Sequence, residues 1–265
     1  MGIAHKLVGN AMQMAVCQVD EGQTVYCEAG KFLWKTPNVA VETRLTKPQG
    51  NQAGAPAAAT GLVKKAMDVG KRVLAGESLA FQYFTPVGGS GLVSFAGVLP
   101  GEMKAVELDG SRGWYADKDA FVAAESSVDF DIAFSGFKTG RRGGEGFVLE
   151  KFTGRGTLLI AGAGNFIELN PAKYGGKIQV DTGCIVAFED TITYGVERVG
   201  GLDGKMVVTA VFGGEGLSLA TLEGDGQVIL QSMTIEGLAN AILKNSGIGD
   251  DKKGALGGLL SGSLE

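Results

Sequence analysis

Residues 143–160 (GGEGFVLEKFTGRGTLLI) return 70 positions later as residues 213–230 (GGEGLSLATLEGDGQVIL). Seven of the eighteen aligned positions are identical: Gly143/Gly213, Gly144/Gly214, Glu145/Glu215, Gly146/Gly216, Leu149/Leu219, Gly154/Gly224 and Gly156/Gly226. Phe147/Leu217, Phe152/Leu222 and Ile160/Leu230 exchange one apolar residue for another. A chain that repeats a unit of this size is built by copying one supersecondary element and stacking the copies. The repeat therefore constrains architecture strongly and chemistry weakly.

A third, weaker copy lies upstream. Gly76-Glu77-Ser78-Leu79 aligns with Gly144-Glu145-Gly146-Phe147 at an offset of 68, and residues 90–97 align with 155–162 at an offset of 65. The change of offset places three extra residues in the turn around Pro86-Val87-Gly88-Gly89. The segment ahead of each glycine motif recurs too: residues 121–130 match 185–194 and, with poorer identity, 32–41. The chain divides accordingly into copies at 8–97, 98–166 and 167–235, followed by a tail over 236–265.

Strand signals dominate within the copies. Polar and apolar residues alternate over 127–132, 177–181, 191–196 and 205–211, with turn signals such as Asp109-Gly110, Asp203-Gly204 and Gly224-Asp225-Gly226 between them. Glycine is abundant, 44 of 265 residues against only 6 prolines, which suits many tight turns and excludes a collagen-like repeat. These features predict an all-β fold: three β units related by pseudo-threefold symmetry, each with a glycine-rich hairpin turning at Gly154/Gly156 or Gly224/Gly226. Helix is expected at 61–75, after a loop over 47–60, and again at 236–244.

The 61–75 segment carries Lys64, Lys65, Lys71 and Arg72 opposite an apolar face. A helix covering a sheet edge, its cations in water, is the favoured reading; peripheral membrane contact is the less favoured one. No uncharged apolar run reaches the length of a membrane span, and no secretory signal is evident, so a cytoplasmic location is expected. Cys17, Cys27 and Cys184 have no metal-binding spacing and read as reduced thiols.

Chemistry is hard to place on this chain. Its single histidine, His5, removes the common hydrolytic triads and multi-histidine metal sites. Carboxylate pairs occur at Asp117/Asp119, Asp129/Asp131 and Glu189/Asp190; Asp129 and Asp131, two apart on a strand, share a face and could form an acid pair, a solvated strand face being the commoner explanation, and the repeated Glu145, Glu215 and Glu77 read as acceptors for turn amides. No phosphate-binding or dinucleotide glycine motif is complete. Trp34 and Trp114 occupy comparable positions near the outset of two copies and read as packing residues. A net charge of −5 disfavours nucleic acid as partner.

The doubled G-G-E-G motif, followed by G-x-G and an apolar triplet, resembles the AIM-type family, named for altered inheritance of mitochondria. The likeness extends over about residues 8–235 and includes the Gly76-Glu77-Ser78-Leu79 entry after a basic segment. It implies an antiparallel, double-sheeted β roll like that of the tryptophan RNA-binding attenuation protein, and a link to mitochondrial membrane organisation and biogenesis. Together these readings predict a non-catalytic scaffold or interaction protein, neither an enzyme nor a carrier of metal or organic cofactor. Homo-oligomerisation is expected, with an unknown protein partner. The alternative is a small-ligand or RNA-binding module between the β units. The structural motif residues are Gly143, Gly144, Glu145, Gly146, Gly154 and Gly156, with Gly213, Gly214, Glu215, Gly216, Gly224 and Gly226.

Overall fold

The computed structural model describes residues 2–44, 80–135, 148–198 and 218–246. The loop at 47–60, the helix expected over 61–75, and the paired glycines and glutamates Gly143–Glu145–Gly146 and Gly213–Glu215–Gly216 lie outside the described residues. Among those described, the fold is all-β, with antiparallel pairing between strands and a single α-helix.

The first segment runs β1 (Ala4–Val8), β2 (Met14–Val19), β3 (Val25–Glu28), β4 (Phe32–Lys35), β5 (Val39–Arg44), β6 (Phe81–Pro86) and β7 (Gly91–Ala96). The second holds β8 (Met103–Asp109), β9 (Trp114–Asp117), β10 (Phe121–Glu125), β11 (Val128–Ser135) and the long β12 (Val148–Ala161). In the third are β13 (Phe166–Leu169), β14 (Lys177–Val180), β15 (Ile185–Glu189), β16 (Thr193–Arg198), β17 (Ser218–Glu223) and β18 (Val228–Gln231). The closing helix, α1 (Ile235–Asn245), overlaps the helix expected at 236–244. It begins where the Thr234 hydroxyl accepts the Gly237 amide at 3.0 Å, an N-cap that satisfies an otherwise orphaned donor.

Strand pairing follows one scheme in all three segments. In the first, β7 lies between β2 and β4, and β6 between β3 and β5. In the third, β18 lies between β13 and β15, and β17 between β14 and β16. In the second, both central roles fall to β12: its N-terminal half pairs with β9 and β11, its C-terminal half with β8 and β10. A bulge recurs at the same place, shifting register between Phe32 and Trp34, Phe121 and Ala123, and Ile185 and Ala187.

The glycine motif is therefore not a hairpin. The strands on either side of it, β6 and β7 or β17 and β18, belong to different sheets, and β12 passes through Gly154–Arg155–Gly156 without a break. Gly154 and Gly156 take φ of 102° and 146°, and Gly224 takes 133°. These left-handed backbone angles let one strand leave its sheet and enter the opposite one.

Each segment is thus two small sheets facing one another around their own core. Val25, Cys27, Phe84, Val93 and Phe95 fill the first, Trp114, Phe121, Phe130, Phe152 and Leu158 the second, and Ile185, Phe188, Leu222 and Val228 the third. Adjacent segments share sheets: β3 pairs with β10, and β9 with β15. Buried between two cores, β3 and β10 are enclosed along their whole length. The apolar residues on both faces of these strands explain why strict alternation fails there. Burial pushes the thiols of Cys17 and Cys27, which lie in the first core, up to about 12, so both are inert.

The two tryptophans are not equivalent. Trp114 opens β9 and is buried in the second core, whereas Trp34 lies beyond the bulge of β4 and is 42% exposed. Their comparable positions near the outset of two copies do not show this, because each belongs to a different strand of the unit.

Candidate functional site

Three residues at one position of the scheme perform one task. Thr36 follows β4, while Glu125 and Glu189 end β10 and β15. The Thr36 hydroxyl accepts the Leu92 amide at 3.0 Å, the Glu125 carboxylate the Thr157 amide at 3.2 Å, and the Glu189 carboxylate the Gln227 amide at 3.0 Å. Each donor stands one residue past a glycine where the chain enters its second sheet. A Cβ at Gly226 would lie 2.9 Å from the Glu189 carboxylate, and one at Gly156 would collide with that of Glu125. Glycine is thus required so that a side-chain oxygen can reach the backbone.

Of the motif glycines, Gly154, Gly156, Gly224 and Gly226 are brought to these crossings, each beside the preceding turn. A Cβ on Gly154 would meet the Ser127 carbonyl at 2.5 Å, and one on Gly224 the Thr191 carbonyl at 2.7 Å. The acids that perform the recurring task among the described residues are Glu125 and Glu189. Their signal was present in the alignment of 121–130 with 185–194, which places glutamate at both positions.

A cleft of about 680 Å³ opens beside Glu125, between the first and second segments. Gln23 and Thr24 line one side, with Glu107, Asp109, Glu125 and Arg155 opposite. Thr157 ties its two glutamates together: its hydroxyl donates to Glu107 at 2.8 Å and accepts the Ile3 amide at 3.1 Å. The second carboxylate oxygen of Glu125 is buried and has no hydrogen-bond partner among the described residues. Burial, then the nearby charge of Glu107, raises the Glu125 pKa, so this carboxyl holds its proton more readily than one in water. A smaller cleft, about 360 Å³, lies on the far side of β8, where Arg112 pairs with Glu189 at 2.9 Å.

His5 lies beside the Ile3 carbonyl at 3.0 Å, and among the described residues no group of three histidine, cysteine or carboxylate side chains converges to hold a metal ion. Asp117 and Asp119 form a turn, the Asp119 amide donating to Asp117 at 3.0 Å. Asp129 and Asp131 lie along β11, opposite Thr153 and Lys151. No helix among the described residues is long and apolar enough to cross a membrane.

Known proteins share this architecture. The family model described as Mitochondrial biogenesis AIM24 matches residues 5–233. An uncharacterized protein of Streptococcus pyogenes serotype M6 is 26% identical over 238 residues, covering 89% of this chain and 88% of its own length. The X-ray crystal structure of a Streptococcus pyogenes protein superposes with a TM-score of 0.68 at 23% identity, over 91% of this chain and 99% of the other. That likeness extends the fold to a solved structure and carries no activity with it.

Proposed function

The chain belongs to the Mitochondrial biogenesis AIM24 family, and on that footing we propose that it is a non-catalytic scaffold or interaction protein that works through its sheet surfaces. The observation that carries this reading is the recurring acceptor at Thr36, Glu125 and Glu189. Among the described residues, the polar side chains at this recurring position are engaged in holding backbone amides. Groups so engaged serve architecture, since Glu125 and Glu189 would each leave a buried or partly buried donor unpaired on moving to react.

The same reading makes the three segments copies of one roll of the attenuation-protein type. It also places the chain in the cytoplasm as a homo-oligomer, with a role in membrane organisation or biogenesis supported by the family description. Sedimentation of the purified chain at micromolar concentration tests it: species heavier than the 27.3 kDa chain support it, and a single 27.3 kDa species unchanged by dilution counts against it.

A second reading is favoured by the cleft between the first and second segments: a binding module for a small cationic ligand. Glu107, Asp109 and Glu125 outnumber Arg155 in its lining, which suits a cation and disfavours RNA. Native mass spectrometry showing a retained low-molecular-weight ligand, lost in Glu107→Gln, would support this module.

A further inference from the structure

We propose that the cleft between the first and second segments binds a guanidinium group, held against Glu125 as the chain's own Arg112 is held against Glu189 one junction further on. This proposal rests on the small-cation reading of that cleft and names the cation.

The two junctions inside the chain are built alike. Glu125 faces Val25 across the first, and Glu189 faces Trp114 across the second. The next pair along repeats as well: the Ser126 amide donates to the Thr24 carbonyl at 2.8 Å, and the Asp190 amide to the Gly113 carbonyl at 2.9 Å. Gln23 therefore stands at the first junction where Arg112 stands at the second. Since Glu125 and Glu189 also accept equivalent backbone amides, the two clefts are one site with different residues at a single position.

That position decides how each carboxylate is satisfied. At the second junction, one oxygen of Glu189 takes both the Gln227 amide at 3.0 Å and the Arg112 guanidinium at 2.9 Å. At the first, Gln23 turns back on its own loop, where its side-chain oxygen accepts the Asp20 amide at 2.8 Å. Arg155, in the same lining, is directed elsewhere. A Cβ at Gly110 would stand 3.7 Å from its guanidinium nitrogens, and its charge joins the Ser111 hydrogen bonds, the larger effect, in holding the Asp109 carboxyl below its usual range. Glu125 is only 7% exposed, and its second oxygen has no hydrogen-bond partner among the described residues. A buried charged acceptor without a donor is costly, and Glu107 nearby adds repulsion. A cation in the cleft relieves both.

The acceptors favour guanidinium over ammonium. Thr157 fixes two carboxylates at once, its amide donating to Glu125 at 3.2 Å and its hydroxyl to Glu107 at 2.8 Å. A guanidinium carries its donors in a rigid planar fork, so a single charge reaches two carboxylates without reorientation. It is also more weakly hydrated than an ammonium, and therefore easier to bring beside a buried oxygen. A free guanidinium compound and an arginine side chain of another protein share this chemistry.

Backbone-amide NMR of the full chain, titrated with ethylguanidinium, tests the site. A saturable shift of the Thr157 amide is expected, with ethylammonium binding at least about tenfold more weakly. Gln23→Arg, which supplies the arginine from within the chain, is expected to abolish that response while leaving the circular dichroism spectrum unchanged. Glu125→Gln, which keeps an oxygen for the Thr157 amide, is expected to abolish it too. Arg112→Gln is expected to open a second site, read at the Gln227 amide. Ethylammonium binding as tightly as ethylguanidinium, or a response that survives in Gln23→Arg, overturns this inference while leaving the small-cation reading intact. No response to either cation overturns both. A blocked glycine–arginine–glycine peptide that binds more tightly than ethylguanidinium assigns the group to a protein's arginine; one that binds no more tightly assigns it to a free small molecule.

Discussion

Gly154 and Ser127 approach so closely that a Cβ on the glycine would stand 2.5 Å from the serine carbonyl oxygen, at a backbone φ of 102°. This contact turns β12 out of one sheet and into the other, and Gly224 repeats it against Thr191. Gly154→Ala meets both a backbone clash and left-handed strain. The expected cost is about 2–4 kcal/mol of unfolding free energy, measured by urea denaturation. Gly30, which also has positive φ but has no atom near its Cβ position, separates the two causes. Gly30→Ala should cost only about 1 kcal/mol.

The acceptor at Glu189 is expected to obey the asymmetry between losing and replacing a partner. Glu189→Ala leaves the Gln227 amide without its acceptor and should destabilise by about 1–3 kcal/mol, whereas Glu189→Gln keeps an oxygen there and should cost less than half as much. Equal losses in thermal melts would show that the Arg112 ion pair, rather than the amide bond, carries the effect.

Asp117 supplies a pH signature. Burial and then Asp119 raise its pKa from 3.8 to about 7. Between those values the folded chain holds a proton that the unfolded chain has released, so stability falls as pH rises through that window. Asp117→Asn should flatten this slope, removing on the order of 1–2 kcal/mol of the difference between pH 4 and pH 7. An unchanged slope in the variant would assign the pH dependence to other groups, Glu125 first among them.

Elemental analysis of the purified protein is expected to find no stoichiometric zinc or iron, because the chain has one histidine and three cysteines without metal-binding spacing. A metal at one equivalent per chain would contradict the scaffold reading.

Much of the fold was legible because it is local or repeated. The alternation over 177–181 became β14, and the helix expected at 236–244 became α1. Alignment of 121–130 with 185–194 and 32–41 made Phe121, Ile185 and Phe32 equivalent, and the structure shows a register shift beginning at each of them. The candidate site was less legible. Glycine spacing reads as a turn because a tight turn and a sheet-to-sheet crossing demand the same positive φ. Only the partners of β12 distinguish them.

Spacing and periodicity by themselves determined that this chain is all-β and that its glycine motif, with Gly154, Gly156, Gly224 and Gly226, returns along the sequence. Tertiary structure decided what those facts mean. It set Glu125 and Glu189 beneath backbone amides 32 and 38 residues away, buried Trp114 and exposed Trp34, and sent Ala123 and Ala187 into their neighbours' cores. The physical reason is that a strand's pattern records which residues are apolar, while pairing in a sheet is settled by contacts distant in sequence. Two tryptophans near the outset of their copies therefore end in opposite environments, because they belong to different strands of the unit.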